Sequence, residues 1–473
     1  MAANFLHGVE TIELDNGSRP VRVVKTAVIG VVGTAPCGAV NESTLLITEA
    51  DGAKFGPALE GFTLPNALRA IYDAGVGTIV AINVLDPDKH KSQVTDEEIT
   101  FNAYGMAYLG HPSVVDTVTL KDNATAVDTD WYKLDNVTGK VWLTEAGMSL
   151  CNKAVKASYD YADNTKVTPA DIIGALDSNG KRTGMQLWIE SMSRFGFSPK
   201  ILIAPGFSSL QSVSTEMINL ADRMSSIAYI DAPVGITPQQ AIEGRGPQGS
   251  INFNTSSERA RLCYPHVKAY NPDLNEEVLE PLSARASGLR AKVDNDRGYW
   301  WSNSNQEIPG ITGVERYLTA QIDDASCEVN LLNEAGITTV FNGFGTGYRL
   351  WGNRTAAWPT VTHIKNFESV RRTADMINES LRLSSMQFID RPINQALIDA
   401  LVESGCAFIR KLVGDGAILG GTVWYDPDRN PKEELALGHL LLSYKFTAPP
   451  PLERLTQETE ITDEYLLNLK GVQ

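Results

Sequence analysis

Short β-branched runs alternate along this chain with stretches of helical periodicity, and that alternation predicts an α/β fold. "VRVVKTAVIGVVGTA" (21–35), bounded by Gly and Pro, reads as a buried strand. "TLPNALRAIYDAG" (63–75) reads as a helix stopped at Gly75, and "GTIVAINVL" (77–85) as a second apolar strand. Strand, helix and strand in this order make a β-α-β unit, hence a parallel-type sheet covered by helices. The alternation resumes at Thr168. "RTGMQLWIESMSRFG" reads as helix and "PKILIAPG" as strand. "SVSTEMINLADRMSS" is a helix with Val213, Met217, Leu220 and Met224 on one face. "IAYIDAPVG" follows as strand, and "TPQQAIEG" as a helix start with Pro in its first turn.

Residues 86–167 break the pattern. They are polar and Asp-rich, with "VVDTVTLKD" and "WYKLDNVTGKVWLT" suggesting strands and a hairpin turning at Asn136–Gly139. Polar alternation suits a module exposed on two sides, so a compact β-rich insertion on the outer surface is expected. After about 360, "HIKNFESVRRTADMINESLRLSSMQF" and "RPINQALIDALVESGCAFIRKLVGDG" carry long helical patterns. In the second, Leu397, Leu401, Phe408 and Leu412 share a face and Gly414 is the expected cap. "GHLLLSYKFTA" reads as strand, completing a C-terminal α+β unit. "PPP" (449–451) then throws an extended segment off the body.

Both ends read as arms: Phe5 to Arg19, set off by Pro20, and Leu452 to Leu469, set off by Pro449–Pro451. Neither has enough apolar content for its own core. Each is expected to order as a strand on a neighbour's sheet edge. The anchors would be Phe5, Val9, Ile12 and Leu14 in one arm, and Leu455, Ile461, Tyr465, Leu466 and Leu469 in the other. The expected organisation is a multidomain α/β chain. It has an arm (1–20), a body in two parts (21–85 and 168–360), the insertion (86–167), the C-terminal α+β domain (361–448) and a second arm (449–473).

Composition narrows the function. The 473 residues are 43% hydrophobic, enough for a sizeable core. A formal net charge of -16 with no dense basic run disfavours a nucleic-acid partner. "MAANFLHGVETIEL" lacks the basic and apolar regions of a signal peptide. The longest apolar runs are about half the ~20 residues a membrane span needs. A soluble protein made in the cytoplasm, with no membrane partner, is expected. The five cysteines are far apart, without C-x-x-C, and read as reduced thiols, not as a disulfide framework or zinc site.

The most enzyme-like stretch is "NGFGTGYRLWGNRT" (342–355), with Gly343, Gly345 and Gly347. A dinucleotide fingerprint needs G-x-G-x-x-G opening a helix. Here the spacing is G-x-G-x-G between two strand-like runs, which predicts a hairpin turn. Gly206 to Leu210 lacks the second glycine of a nucleophile elbow. Asp426, Asp428 and Asn430 begin like a calcium loop, but Pro431 and Leu437 stand where Gly and Glu are needed. The histidines form no H-E-x-x-H. Acidic pairs such as Glu276–Glu277 and Asp323–Asp324 have no evident catalytic partner. No catalytic residue, metal ligand or cofactor is expected.

Several stretches, in order, carry a resemblance. They are "HGVETIELDNGSRPVRVVKTAVIGVVGTA" (7–35), "SGLRAKVDNDRGYWWSNSN" (287–305), "LLNEAGITTV" (331–340), "YRLWGNRT" (348–355) and "PPPLERLTQETEITDEYLLNL" (449–469). Within them stand Leu332, Asn333, Gly336, Trp351, Gly352 and Arg354. Over about four-fifths of its length the chain resembles the contractile tail sheath proteins of phages and contractile bacteriocins; the insertion departs from shorter members. The resemblance implies a structural subunit, assembled in the host bacterial cytoplasm, that stacks in sixfold helical rings around a tail tube in the virion tail. The lattice would be strained when extended and would contract to drive the tube through an envelope, without a cofactor. Implied partners are other copies, the tail tube protein, and baseplate and tail terminator proteins. The resemblance puts the C-terminal part inside, so the helix over 393–413 would face the tube. Arg410 and Lys411 lie in its last turn, where the helix dipole also favours positive charge. Two other readings stay open: a nucleotide-dependent α/β enzyme using the sheet's carboxyl edge, and a non-contractile tail filament component.

Overall fold

The computed structural model describes residues 21–469, apart from Arg22, Val76, Ala124, Phe344 and Thr346. The N-terminal arm, with Phe5, Val9, Ile12 and Leu14, lies outside the described residues. The first β-α-β unit is present as expected. Strand β1 (Val28–Gly33) is followed by the short strand β2 (Thr44–Leu46), helix α1 (Thr63–Tyr72) and strand β3 (Thr78–Asn83). β1 and β3 pair in parallel. The strand expected from residue 21 begins only at Val28, because its neighbours start there: Thr78 stands opposite Val28, and Ile201 opposite Ile29.

The insertion follows β3. Strands β4 (Lys91–Thr100), β5 (Met106–Tyr108), β6 (Val114–Asp122), β7 (Thr125–Ala126), β8 (Tyr132–Asp135), β9 (Lys140–Leu143) and β10 (Ala154–Ala162) form two antiparallel sheets. The β8–β9 hairpin turns at Asn136–Gly139, as the sequence predicts. Ile99, Phe101, Leu120, Val141 and Tyr159 give the module its own core.

The body resumes with β11 (Ile201–Ile203), helix α2 (Gln211–Met224), β12 (Ile227–Asp231) and β13 (Ala260–Cys263). A small three-stranded sheet comes next, with β14 (Val267–Asn271), β15 (Glu276–Glu280) and, later in the chain, β17 (Ile311–Val314). Helix α3 (Leu282–Asp296) and strands β16 (Gln306–Glu307), β18 (Ile337–Phe341) and β19 (Arg349–Trp351) complete the body. Among the described residues its main sheet has nine strands, in the order β16-β19-β18-β13-β12-β11-β1-β3-β2. The central six are parallel and the outer three antiparallel. Parallel strands covered on both faces must be apolar throughout, and every residue of β1, β11 and β12 is buried. Alternate side chains divide between the faces. Ile29 and Val31 join Ile71 and Leu289 on one side, while Val28 and Val32 join Met217 and Trp188 on the other.

The stretch 182–196 does not form the single helix expected. Gly184–Glu190 winds as a 3-10 helix and only Ser191–Phe195 as α. Three residues per turn bring Met185 and Trp188 onto one face, where both are fully buried.

Helices α1 and α3 approach closely at Gly288. A β-carbon there would stand 2.8 Å from the carbonyl oxygen and 2.9 Å from the Cα of Ile71, both rigid backbone atoms. Gly288→Ala should therefore destabilise the body. Overpacking costs about 1–3 kcal/mol and exceeds the gain of about 1 kcal/mol from replacing a helical glycine. A lowered urea midpoint is the expected reading; a raised one would show that the helices can part without cost.

The C-terminal part contains helix α4 (Glu368–Ser385), helix α5 (Gln395–Gly414) and the hairpin β20 (Gly420–Tyr425) and β21 (Leu442–Thr447). Ile398, Phe408, Ile409 and Leu412 are the buried residues of α5's apolar face, with Leu397 and Leu401 at its half-buried margin. The cap is Gly416, not Gly414. Gly416 takes φ +77°, and the N–H groups of Gly416 and Ala417 donate to Val413 and Leu412.

Candidate functional site

Helix α4 carries Glu368, Arg371, Arg372, Asp375 and Glu379 at spacings of three and four, on one face. That face is turned into the body and not to water. Glu368 pairs with Arg261 of β13, their side chains 3% and 0% exposed. Arg261 also donates to Asn303 (2.7 Å), Thr338 (2.9 Å) and the Gly352 carbonyl (2.6 Å). The Tyr229 hydroxyl of β12 donates to Glu368 at 2.6 Å. One and two turns on, Arg372 pairs with Asp294 of α3, which Arg290 also holds at 2.6 Å. Asp375 pairs with Arg259, and Glu379 with Lys200 at the start of β11. Arg371 bridges Glu258 (2.9 Å) and Asp375 (2.7 Å).

Burial and charge pull against each other here. Burial alone would push the Glu368 carboxyl up. Arg261 foremost, with Arg290 and Arg372, overcomes this and holds it below the usual carboxylate range. Burial also pushes the Lys200 ammonium down, with Glu379 opposing. A stack of buried pairs demands one relative position of its two faces, because a shifted register leaves charges unpaired. It therefore fixes how the C-terminal helices sit on the body.

Stretches 287–305, 331–340 and 348–355, among those that carried the resemblance, meet at this joint. Asn303 and the Gly352 carbonyl hold Arg261. Gly352 has φ +133°, and a side chain there would strike the backbone of Thr338. Arg354 stacks between Trp358 (3.9 Å) and Phe367 (4.3 Å), donates to Asn366, and binds the Glu453 carboxylate at 2.8 Å. Glu453 is the root of the C-terminal arm. Beyond it, every described residue through Leu466 is exposed, including Leu455, Tyr465 and a fully exposed Ile461. A 3-10 turn, Glu464–Leu469, ends the described chain. Arg410 and Lys411 are exposed on α5, and Arg410 meets Glu403 at 2.6 Å.

The expected hairpin accounts for the glycine-rich stretch. β18 and β19 pair antiparallel with Phe341 opposite Arg349, and Gly345 and Gly347 take φ +65° and +82° in the turn. At the carboxyl edge of the sheet, Thr34 takes up the first N–H groups of α1: Thr63 donates to its hydroxyl (3.2 Å) and Leu64 to its carbonyl (2.9 Å). The buried Asp231 carboxylate accepts from Ser208 and from the Ser283 hydroxyl and N–H, tying β12 to the start of α3. Among the described residues no group of three or more His, Cys, Asp or Glu side chains is arranged to hold a metal ion. Among them, too, no helix is long and apolar enough to cross a membrane.

The family model described as phage tail sheath protein central domain matches residues 165–356, and that of the phage tail sheath C-terminal domain matches 360–462. The tail sheath protein of Burkholderia phage BcepMu is 59% identical over 475 aligned positions, covering 100% of both chains. The chain belongs to the phage tail sheath family. The tail sheath protein of Escherichia phage P2 is 27% identical across 99% of this chain and 98% of its own. Among solved structures, the fold is similar to the sheath of an extracellular contractile injection system, PVC, in the contracted state. The TM-score is 0.60 at 14% identity, covering 98% of this chain and 99% of that one. The anti-feeding prophage baseplate in its contracted state gives a TM-score of 0.61, also at 14% identity, covering 97% and 100%. As a tail sheath protein, the chain is a structural subunit of a contractile tail, and its relatives support that reading over a nucleotide-dependent enzyme or a non-contractile filament component.

Proposed function

We propose that copies of this chain form a sixfold helical cylinder around a tail tube, and that the cylinder contracts to drive the tube through a target envelope. The observation that carries this is the pairing of a pinned arm with an open hairpin. Glu453 fixes the arm's root, while residues 454–466 have no contact surface of their own to bury. Among the described residues, β20 and β21 form only a two-stranded sheet. Such a hairpin is marginal alone and offers unpaired edges. An arm from a neighbour supplies the missing strand through backbone hydrogen bonds. The contact is head-to-tail and does not close, so it propagates a helix. Its two ends differ, which suits a baseplate at one end and a terminator at the other. The stored energy lies in the lattice, and no catalytic step or cofactor is needed.

In this reading α5 faces the tube. Arg410→Glu combined with Lys411→Glu should leave sheath polymers intact but empty, because the charge facing the tube is reversed. Electron microscopy of the variant with purified tubes checks this. Normally sheathed tubes would assign the tube contact elsewhere.

The insertion faces outward, since both of its sheets close on their own core. Deletion of 86–167 should leave cylinders that are thinner-walled but intact. Loss of all cylinders from a folded deletion variant would give the module a role in the lattice.

A further inference from the structure

A groove of about 490 Å³ opens beside the joint, between the segment leading into β1, the turn at 192–198 and the end of α4. Val24, Phe197, Met192 and Leu383 make its walls apolar. The Lys200–Glu379 pair lies in its lining. Lys25 stands on the rim with its ammonium 4.5 Å over the Phe197 ring, and among the described residues no carboxylate pairs with it. The groove thus offers apolar surface and one uncompensated positive charge.

The tip of the C-terminal arm has the complementary chemistry. Ile461, Tyr465 and Leu466 are exposed, and Asp463 and Glu464 stand between them. Its hydrogen bonds are local: Glu464 N–H to the Thr462 hydroxyl, and Leu466 N–H to the Asp463 carbonyl. No described residue of the arm lines the groove of its own subunit.

We propose that the groove receives the arm tip, residues 461–466, of a second copy. Tyr465 and Leu466 then pack on Phe197, Met192 and Leu383, and Asp463 and Glu464 face Lys25. This rests on the reading that arms link copies, and it adds a second station beyond the hairpin edge. The dozen residues from the pinned Glu453 to Tyr465 span up to about 40 Å when extended, enough to pass one neighbour's hairpin and reach a groove. Seated there, the tip would lie against α4 and read directly whether the joint is in register.

The test mixes two batches of full-length chain, one with Leu383→Cys and one with Tyr465→Cys, and oxidises them before and after assembly. A dimer that needs both variants and appears only in cylinders is the expected result. Lys25→Glu should reduce cylinder yield at low salt, and Asp463→Lys with Glu464→Lys should restore it in the double-charge background. Normal cylinders without the cross-link or the rescue would overturn the groove assignment while leaving the arm reading intact. A cross-link within one Leu383→Cys/Tyr465→Cys chain at high dilution would overturn the second copy as occupant. Capture of the groove by Ile12→Cys in place of Tyr465→Cys would overturn the C-terminal tip. Cylinders built from a chain lacking 453–473 would instead remove the arm reading itself.

Discussion

Arg261→Met is expected to lower the stability of the subunit by about 3–5 kcal/mol, the cost of leaving one partner of a buried ion pair alone. Glu368 would remain 3% exposed, with the Tyr229 hydroxyl as its one direct side-chain hydrogen-bond partner among the described residues. The Gly352 carbonyl, Asn303 and Thr338 would each lose a donor as well. Replacing both partners, Arg261→Met with Glu368→Leu, should recover most of the loss, since apolar groups of similar size need no partner. The pH dependence separates this from simple misfit. In the native chain Glu368 is held below its unfolded value, so its contribution is complete above about pH 4.3 and is lost as pH falls through the lowered value. In Arg261→Met the stranded carboxyl can instead protonate, so the gap between variant and native chain should narrow on acidification. Denaturant unfolding followed by tryptophan fluorescence at several pH values reads both effects. A loss under 1 kcal/mol, or a gap that widens in acid, would show that the pair does not hold the joint.

Removing 453–473 is expected to abolish cylinders while leaving a folded monomer. Of the residues the deletion takes away, the described stretch 453–466 is exposed throughout, and its tie to its own subunit is the Glu453 contact with Arg354. Exposed ion pairs contribute little, about 0–1 kcal/mol, so the unfolding transition should stay near that of the full chain. On the proposed arm exchange the lattice would lose far more, because each subunit would forfeit a strand together with the exposed Ile461, Tyr465 and Leu466. Sedimentation and unfolding of the truncated chain report the two halves of this prediction. Cylinders of normal length would mean that the arm is an ordinary exposed terminus. A truncated chain that no longer folds would mean that the arm belongs to the core.

The body was legible in the sequence because period and burial agree there. Strands buried on both faces must be continuously apolar, and β1, β3, β11 and β12 were read from such runs. The β8–β9 hairpin was read from turn residues between alternating runs. The joint was not legible, although its signal was present. Glu368, Arg371, Arg372, Asp375 and Glu379 repeat at helical spacing, but a charged helix face is ordinarily solvated. Partners far away in sequence turn that stripe inward: Lys200 at the start of β11, Glu258, Arg259 and Arg261 at and within β13, and Asp294 of α3. β20 escaped for another reason: it opens on Gly420 and Gly421, which suppress strand propensity, and Val423 is its one buried residue. Gly416 displaced Gly414 as the cap because only the local φ decides which glycine is needed.

The central claim is that this chain builds a sheath with two packings, and electron microscopy of the assembled full-length protein with tail tubes tests it most directly. Before triggering, hollow cylinders should enclose the tubes along their length. After triggering, the same cylinders should be shorter and wider, with the tube protruding. Narrow solid tubes, or cylinders of one fixed length under every condition that expels the tube, would contradict it.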